Sequence, residues 1–171
     1  MTPPPRERQR GVARGIGAAL ILSTVVLGAS WWLASPAPLE SRLSALATLL
    51  AVLGLCTGVA VGRVATLRFG SATDFDAARV GTESPATAQA RAILINTAEQ
   101  ALIAALAGTA LTLLSDRAVP VLAAMTGLFT AGRVLFWTGY ARGAEQRALG
   151  FAVTFYPSML VLVGVMVGLV V

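Results

Sequence analysis

The sequence predicts an all-α integral membrane protein with five spans. Three observations carry that reading. The chain of 171 residues is 56% hydrophobic and 12% charged, with a mean hydropathy of +0.77, whereas a soluble domain carries about 25% charged residues. Five apolar segments, near residues 15–33, 43–62, 92–114, 119–140 and 149–171, each approach the ~20 residues that cross a hydrocarbon core of ~30 Å. Most of the joins between them are short and polar, which makes sequential spans antiparallel neighbours.

The opening MTPPPRERQR is rich in proline and arginine, so residues 1–14 read as a disordered basic tail. Residues 15–37 read as an N-terminal transmembrane helix or signal anchor. Ser35-Pro36-Ala37 offers a cleavage site for the alternative, a signal peptide. The apolar run is long for a signal peptide and ends in Trp31 and Trp32, a pairing suited to the outer interface, which favours a retained span. Residues 39–171 hold the other four spans. Pro36 and Pro38 mark the first loop, 34–42. Residues 63–91 form the long loop, with Asp74, Asp76, Glu83 and Pro85. Ser115, Asp116 and Arg117 make a tight turn, Pro120 suits a first helical turn, and 141–148 joins the last two spans.

Arginine placement sets the expected orientation. Arg6, Arg8, Arg10, Arg14, Arg63, Arg68, Arg79, Arg91, Arg142 and Arg147 fall on one side of five alternating spans; Arg42 and Arg117 fall on the other. The excess of positive charge predicts that the N-terminus, the long loop and the 141–148 loop face the cytoplasm. All 13 basic residues are arginine. They cluster at the ends of apolar runs and not on a polar face, which argues against a nucleic-acid surface. With no histidine, histidine bases, triads and histidine metal sites are excluded. Cys56 is the only cysteine, so no internal disulfide forms, and a thiol amid apolar neighbours reads as a small core residue.

Small residues suggest packing seams. Gly54, Gly58 and Gly62 repeat every fourth residue in the second span, and Gly164 and Gly168 do so in the last. That spacing lets membrane helices approach closely, although glycine is common in such helices in any case. Pro157 is placed to kink the last span.

The chemistry concentrates in two spans. The stretch RVLFWTGYARGAEQR, residues 133–147, puts an arginine inside an apolar segment. At 3.6 residues per turn Arg133 and Tyr140 lie within about 20° of each other, with Phe136 and Trp137 flanking. In the third span Asn96 and Glu99 are one turn apart and Gln100 follows. Glu99 and Arg133 sit at similar depth, on the order of 10–12 Å from the cytoplasmic edge, so an ion pair between them is expected. It would relieve the cost of burying either charge. Such a pair either pins two helices or belongs to a ligand site. The convergence of Asn96, Glu99, Arg133, Tyr140, Arg142 and Arg147 on the cytoplasmic third favours a site. An arginine fork suits a carboxylate-bearing ligand.

The pattern Asn96-x2-Glu99 followed by Arg133-x2-Phe136-x3-Tyr140-x6-Arg147 resembles the MAPEG family, the membrane-associated proteins of eicosanoid and glutathione metabolism. The resemblance covers about residues 39–171. It implies a four-helix membrane bundle, here with an additional N-terminal transmembrane helix. It also implies a homotrimer that binds glutathione, as co-substrate, between subunits on the cytoplasmic side. Asn96, Glu99, Arg133 and Tyr140, with Arg142 nearby, would hold the tripeptide, and Arg147 would stabilise its thiolate as the catalytic residue. No metal is implied. The lipophilic partner would come from the bilayer.

The chain departs from the family pattern in three places. Ala92 stands where catalytic relatives commonly carry arginine, and Arg91 is one residue off. Phe136 replaces a tyrosine, and TESPATAQA replaces an acidic-aromatic lead-in. Two readings therefore stand: a glutathione- or thiol-dependent transferase or peroxidase acting on lipophilic electrophiles, or a non-catalytic lipid-binding or scaffold protein. A channel or transporter is disfavoured by the scarcity of intramembrane charge and the lack of an inverted repeat.

Overall fold

The computed structural model of the protein describes residues 5–75 and 83–170. Five helices follow in order: α1 (Pro5–Trp32), α2 (Leu39–Phe69), α3 (Pro85–Leu114), α4 (Ala118–Tyr140) and α5 (Ala144–Val170). Each contains a stretch long and apolar enough to cross a membrane. Large apolar side chains such as Ile21, Leu55, Leu102, Leu113 and Met166 point outward, as expected where lipid and not water is the solvent.

The helices outrun the apolar segments that announce them. α1 begins at Pro5, so residues 5–14, expected as a disordered tail, are helical. Arginine, glutamate and glutamine are good helix formers, and proline is tolerated at a first helical position. α2 continues to Phe69 and α3 starts at Pro85, so helix takes up residues 63–69 and 85–91 of the expected 63–91 loop. Hydropathy marks where lipid ends, not where helical hydrogen bonding ends. At 1.5 Å per residue the 31 residues of α2 extend about 46 Å, well past the apolar layer, carrying Arg63 and Arg68 with them. Asp76 and Arg79 lie outside the described residues.

The α2–α3 connection is latched by one carboxylate. Asp74 accepts from the Ser84 hydroxyl (2.6 Å), the Ser84 N–H (2.7 Å) and the Thr87 hydroxyl (2.9 Å). Ser84 is also the N-cap of α3, its oxygen accepting from the Thr87 N–H, and Pro85 takes the first helical position. The Ser84 bonds, side chain first and backbone second, hold the Asp74 carboxyl down at about 2. Beside it Glu83 sits between Arg68 (3.4 Å) and Arg91 (3.0 Å). On the opposite end of the bundle, Arg42 donates to the carbonyls of Thr112 (2.7 Å) and Ser115 (3.0 Å), closing the C-terminus of α3.

α4 and α5 pair along their length. α1 leans on α5 and α4, and α2 on α3 and α4. The main core gathers Leu49 and Leu53 of α2, Ala107 and Leu111 of α3, and Leu122 and Phe129 of α4. Glycine permits the tightest crossings. A Cβ on Gly150 would stand 2.3 Å from the Phe136 backbone nitrogen, and one on Gly139 would stand 2.5 Å from the Gln146 carbonyl oxygen. By contrast, a Cβ on Gly54, Gly58, Gly62, Gly164 or Gly168 would meet nothing within 4 Å. The two expected seams therefore pack against nothing among the described residues, and the glycines at close crossings are others. α5 runs unbroken through Pro157.

Two outcomes follow for stability. Gly150→Ala forces backbone apart and lowers stability by about 1–3 kcal/mol, whereas Gly28→Ala, in open space, is neutral or stabilising by up to about 1 kcal/mol; thermal unfolding in detergent reads both. Asp74→Asn lowers the melting temperature at pH 7. Because the folded-state pKa is depressed, the contribution is present above about 3.9, the unfolded value, and is lost as pH falls through about 2. Wild type and variant then converge, which a pH series of melting curves measures.

Candidate functional site

The centre of the site is Arg133. It is 1% exposed although it lies in the middle of an apolar helix. Its two terminal nitrogens are spoken for: one donates to the Asn96 side-chain oxygen at 2.9 Å, the other to the Thr154 hydroxyl. Its Nε has no acceptor among the described residues. The guanidinium carbon also lies 4.7 Å from the Phe136 ring centre and 5.6 Å from that of Phe129. No carboxylate pairs with it among the described residues. A full charge is thus held by two neutral dipoles and two aromatic faces, each face contributing about 0.5–2 kcal/mol. Three helices must be in register for this to happen, and Gly132 lets Thr154 approach, since a Cβ there would stand 2.5 Å from the Thr154 methyl.

The stack continues toward the arginine-rich end of the bundle. Phe136 meets Tyr140 edge-on, with ring centres 5.4 Å apart. The Arg147 guanidinium then lies over the Tyr140 ring at 4.8 Å. Cation, ring, ring and cation follow one another along the α4–α5 groove. The short turn between these helices makes the last step possible: Gly143 takes φ 109°, a conformation open chiefly to glycine, and α5 starts at Ala144. Arg147 therefore sits in the opening turns of a helix and not in the expected 141–148 loop.

Beside this stack is a cavity of about 370 Å³, whose walls include Ala92, Asn96, Phe136, Tyr140, Arg147 and Phe151. Its one charged lining residue is Arg147. A somewhat larger cavity of about 420 Å³ opens near Trp31, Leu111 and Leu160. It has no charged lining residue; another, of about 400 Å³, is lined by Arg63 and Gln89 but by no residue of the stack, so the 370 Å³ cavity is the one that joins a guanidinium to Tyr140 and Asn96.

The structure brings Asn96, Tyr140 and Arg147 to this cavity and keeps Arg133 directly behind it. Two expected members are elsewhere. Glu99 is exposed, and the expected Glu99–Arg133 ion pair does not form. Asn96 and Glu99 differ by about 60° around the helix, and packing turns Asn96 and Gln100 inward at Glu99's expense. Arg142 is exposed in the α4–α5 turn, away from the cavity walls. Arg91 is engaged by Glu83, while Ala92 lines the cavity without a polar group. Sequence reasoning missed Thr154, one of three hydroxyl residues in α5 with no local signal to distinguish it. It also missed Thr97, whose hydroxyl accepts from the Trp137 indole at 3.2 Å.

The sequence profile of the MAPEG family matches residues 43–167, most of the chain but not α1. No curated protein and no solved structure matches the chain significantly.

Arg133 carries a charge without a counter-charge, so its loss should not unfold the protein. Arg133→Met leaves Asn96 able to reach the cavity and Thr154 bonded to the Phe151 carbonyl. The expected stability in thermal unfolding is unchanged or raised, by up to about 4 kcal/mol. A large loss of stability would mean that the guanidinium serves the fold before the site.

Proposed function

This chain belongs to the MAPEG family, a membrane family of glutathione and eicosanoid metabolism, and on that premise we propose that it is a glutathione- or thiol-dependent transferase or peroxidase for lipophilic electrophiles. The observation that carries the reading is the Arg147 guanidinium, stacked on Tyr140 at 4.8 Å on the wall of a cavity that Asn96 also lines.

A free thiol has a pKa near 8.5, and its thiolate is the nucleophile. Lowering that value by ~2 units takes about 2.7 kcal/mol of preferential anion stabilisation. A guanidinium in a partly dry cavity supplies energy of that order. The start of α5 at Ala144, also on the wall, adds the positive end of a helix dipole. The thiol proton leaves to water and the sulfur lone pair attacks. On an electrophilic carbon a C–S bond forms and the leaving group departs. On a lipid hydroperoxide the O–O bond breaks, giving a sulfenic acid and the alcohol. Asn96 and Tyr140 orient the thiol's polar end. Arg133, shut behind Phe136, is a positioning residue that fixes Asn96.

The arrangement also fits a homotrimer with its sites on the cytoplasmic face. The arginine excess at this end supports the orientation. The exposed glycine stripe Gly54, Gly58 and Gly62 and the exposed Glu99 offer unsatisfied surface to a neighbouring copy. A second reading, a non-catalytic lipid-binding or scaffold member, is favoured by Ala92 and Phe136, which leave the cavity short of polar groups.

Adding glutathione to the purified protein should raise the ultraviolet absorbance of bound thiolate at neutral pH. Arg147→Ala should abolish that signal and lower kcat/KM by about 10²–10³, with the oligomer intact. No thiolate signal with any thiol would transfer the weight to the non-catalytic reading.

A further inference from the structure

The cavity has a wall that lies outside the family-matched region. Val12 and Ile16 of α1 line it, facing the groove between α4 and α5, whereas the MAPEG match begins at residue 43. Resting on the thiol-site reading, we infer that α1 is a specificity-determining wall of that site, and that Val12 and Ile16 bound the room for the thiol co-substrate and place an uncharged portion of it against them.

α1 is held firmly enough to serve as a wall. Its residues 11, 15, 19, 23 and 27 recur every fourth position and form its packed edge. A Cβ on Gly11 would collide with the Glu145 side chain, and one on Gly15 would stand 3.4 Å from the Leu149 backbone nitrogen. Ala19 and Ser23 are fully buried and Leu27 is nearly so. Small residues at this spacing bring two membrane helices into backbone contact. The contact is with α5, the helix that carries Arg147, so the wall packs directly on the element that holds the guanidinium.

The chemistry of the wall follows from its side chains. Val12 and Ile16 offer no hydrogen bond, and Ala144 and Ala148 continue the apolar lining on α5. The polar groups of the cavity come from α3, α4 and α5. A charged group of the ligand lodged against α1 would be desolvated without a partner, at a cost of several kcal/mol. The ligand's anionic end therefore lies toward Arg147 and Asn96, with its neutral part along α1. The arrangement requires α1 to remain attached in the mature protein.

Calorimetric binding of glutathione and S-methylglutathione to the full chain tests this. Wild type is expected to bind. Ile16→Trp, which fills the cavity, should weaken both ligands by about tenfold or more, and Ile16→Ala should alter affinity severalfold. Ile21→Trp, on an exposed face of the same helix, should bind as wild type does. In a Cys56→Ala background, Ile16→Cys should be labelled by a maleimide and protected by S-methylglutathione, and this arm decides the matter if Ile16→Trp does not fold. A folded Ile16→Trp that binds like wild type, or an Ile16→Cys that the ligand leaves unprotected, overturns the wall while the thiol-site reading stands. A wild type that binds neither ligand overturns both.

Discussion

A guanidinium buried in an apolar helix is the constraint on which the arrangement of the site depends. Arg133 cannot shed its charge, and lipid gives it no solvent. Its stabilisation comes from Asn96 on α3, Thr154 on α5 and two aromatic faces on its own helix. Those contacts require the rotation of α3 and the depth of α5 to match α4. Once they are set, Tyr140 lies two turns further along the same face, and the turn at Gly143 returns Arg147 onto its ring. The site is the continuation of a single electrostatic solution.

Close packing makes that solution reachable. Glycine contacts at 132, 139 and 150 allow α4 and α5 to touch nearly backbone to backbone, which short side chains such as Thr154 need in order to reach a neighbour's arginine. A bulkier pair would hold the helices several ångströms apart and leave the charge unpaired. α1 repeats the device on the other side of α5, through Gly11 and Gly15. One helix, α5, thus carries Arg147 in its opening turns and also receives the wall that faces it.

Much of this was legible in the chain. The five spans follow from apolar length, and the common face of Arg133 and Tyr140 follows from helical period. Both are local quantities. Other expectations failed for identifiable reasons. Helix ends were misplaced because charged residues leave the membrane without leaving the helix, as at Arg63, Arg68 and the start of α1. Glu99 was the expected partner of Arg133, and Asn96 takes that place, because one turn along a helix hides a rotation of about 60°. The four-residue glycine repeats of α2 and α5 looked like the packing seams, yet a motif says that a helix can be approached closely, not which side is approached.

The sequence by itself determined an all-helical membrane protein, its number of spans, the crowding of arginine at one end, and the shared face of Arg133 and Tyr140. Each of these depends on residues close together in the chain. Only the tertiary structure decided which partner Arg133 takes, that Thr154 belongs with it, that Glu99 and Arg142 stand apart from the cavity, and that α1 closes one side of it. Those outcomes turn on how each helix is rotated about its own axis. That rotation is set by close packing summed over whole interfaces, a quantity no short stretch of sequence contains.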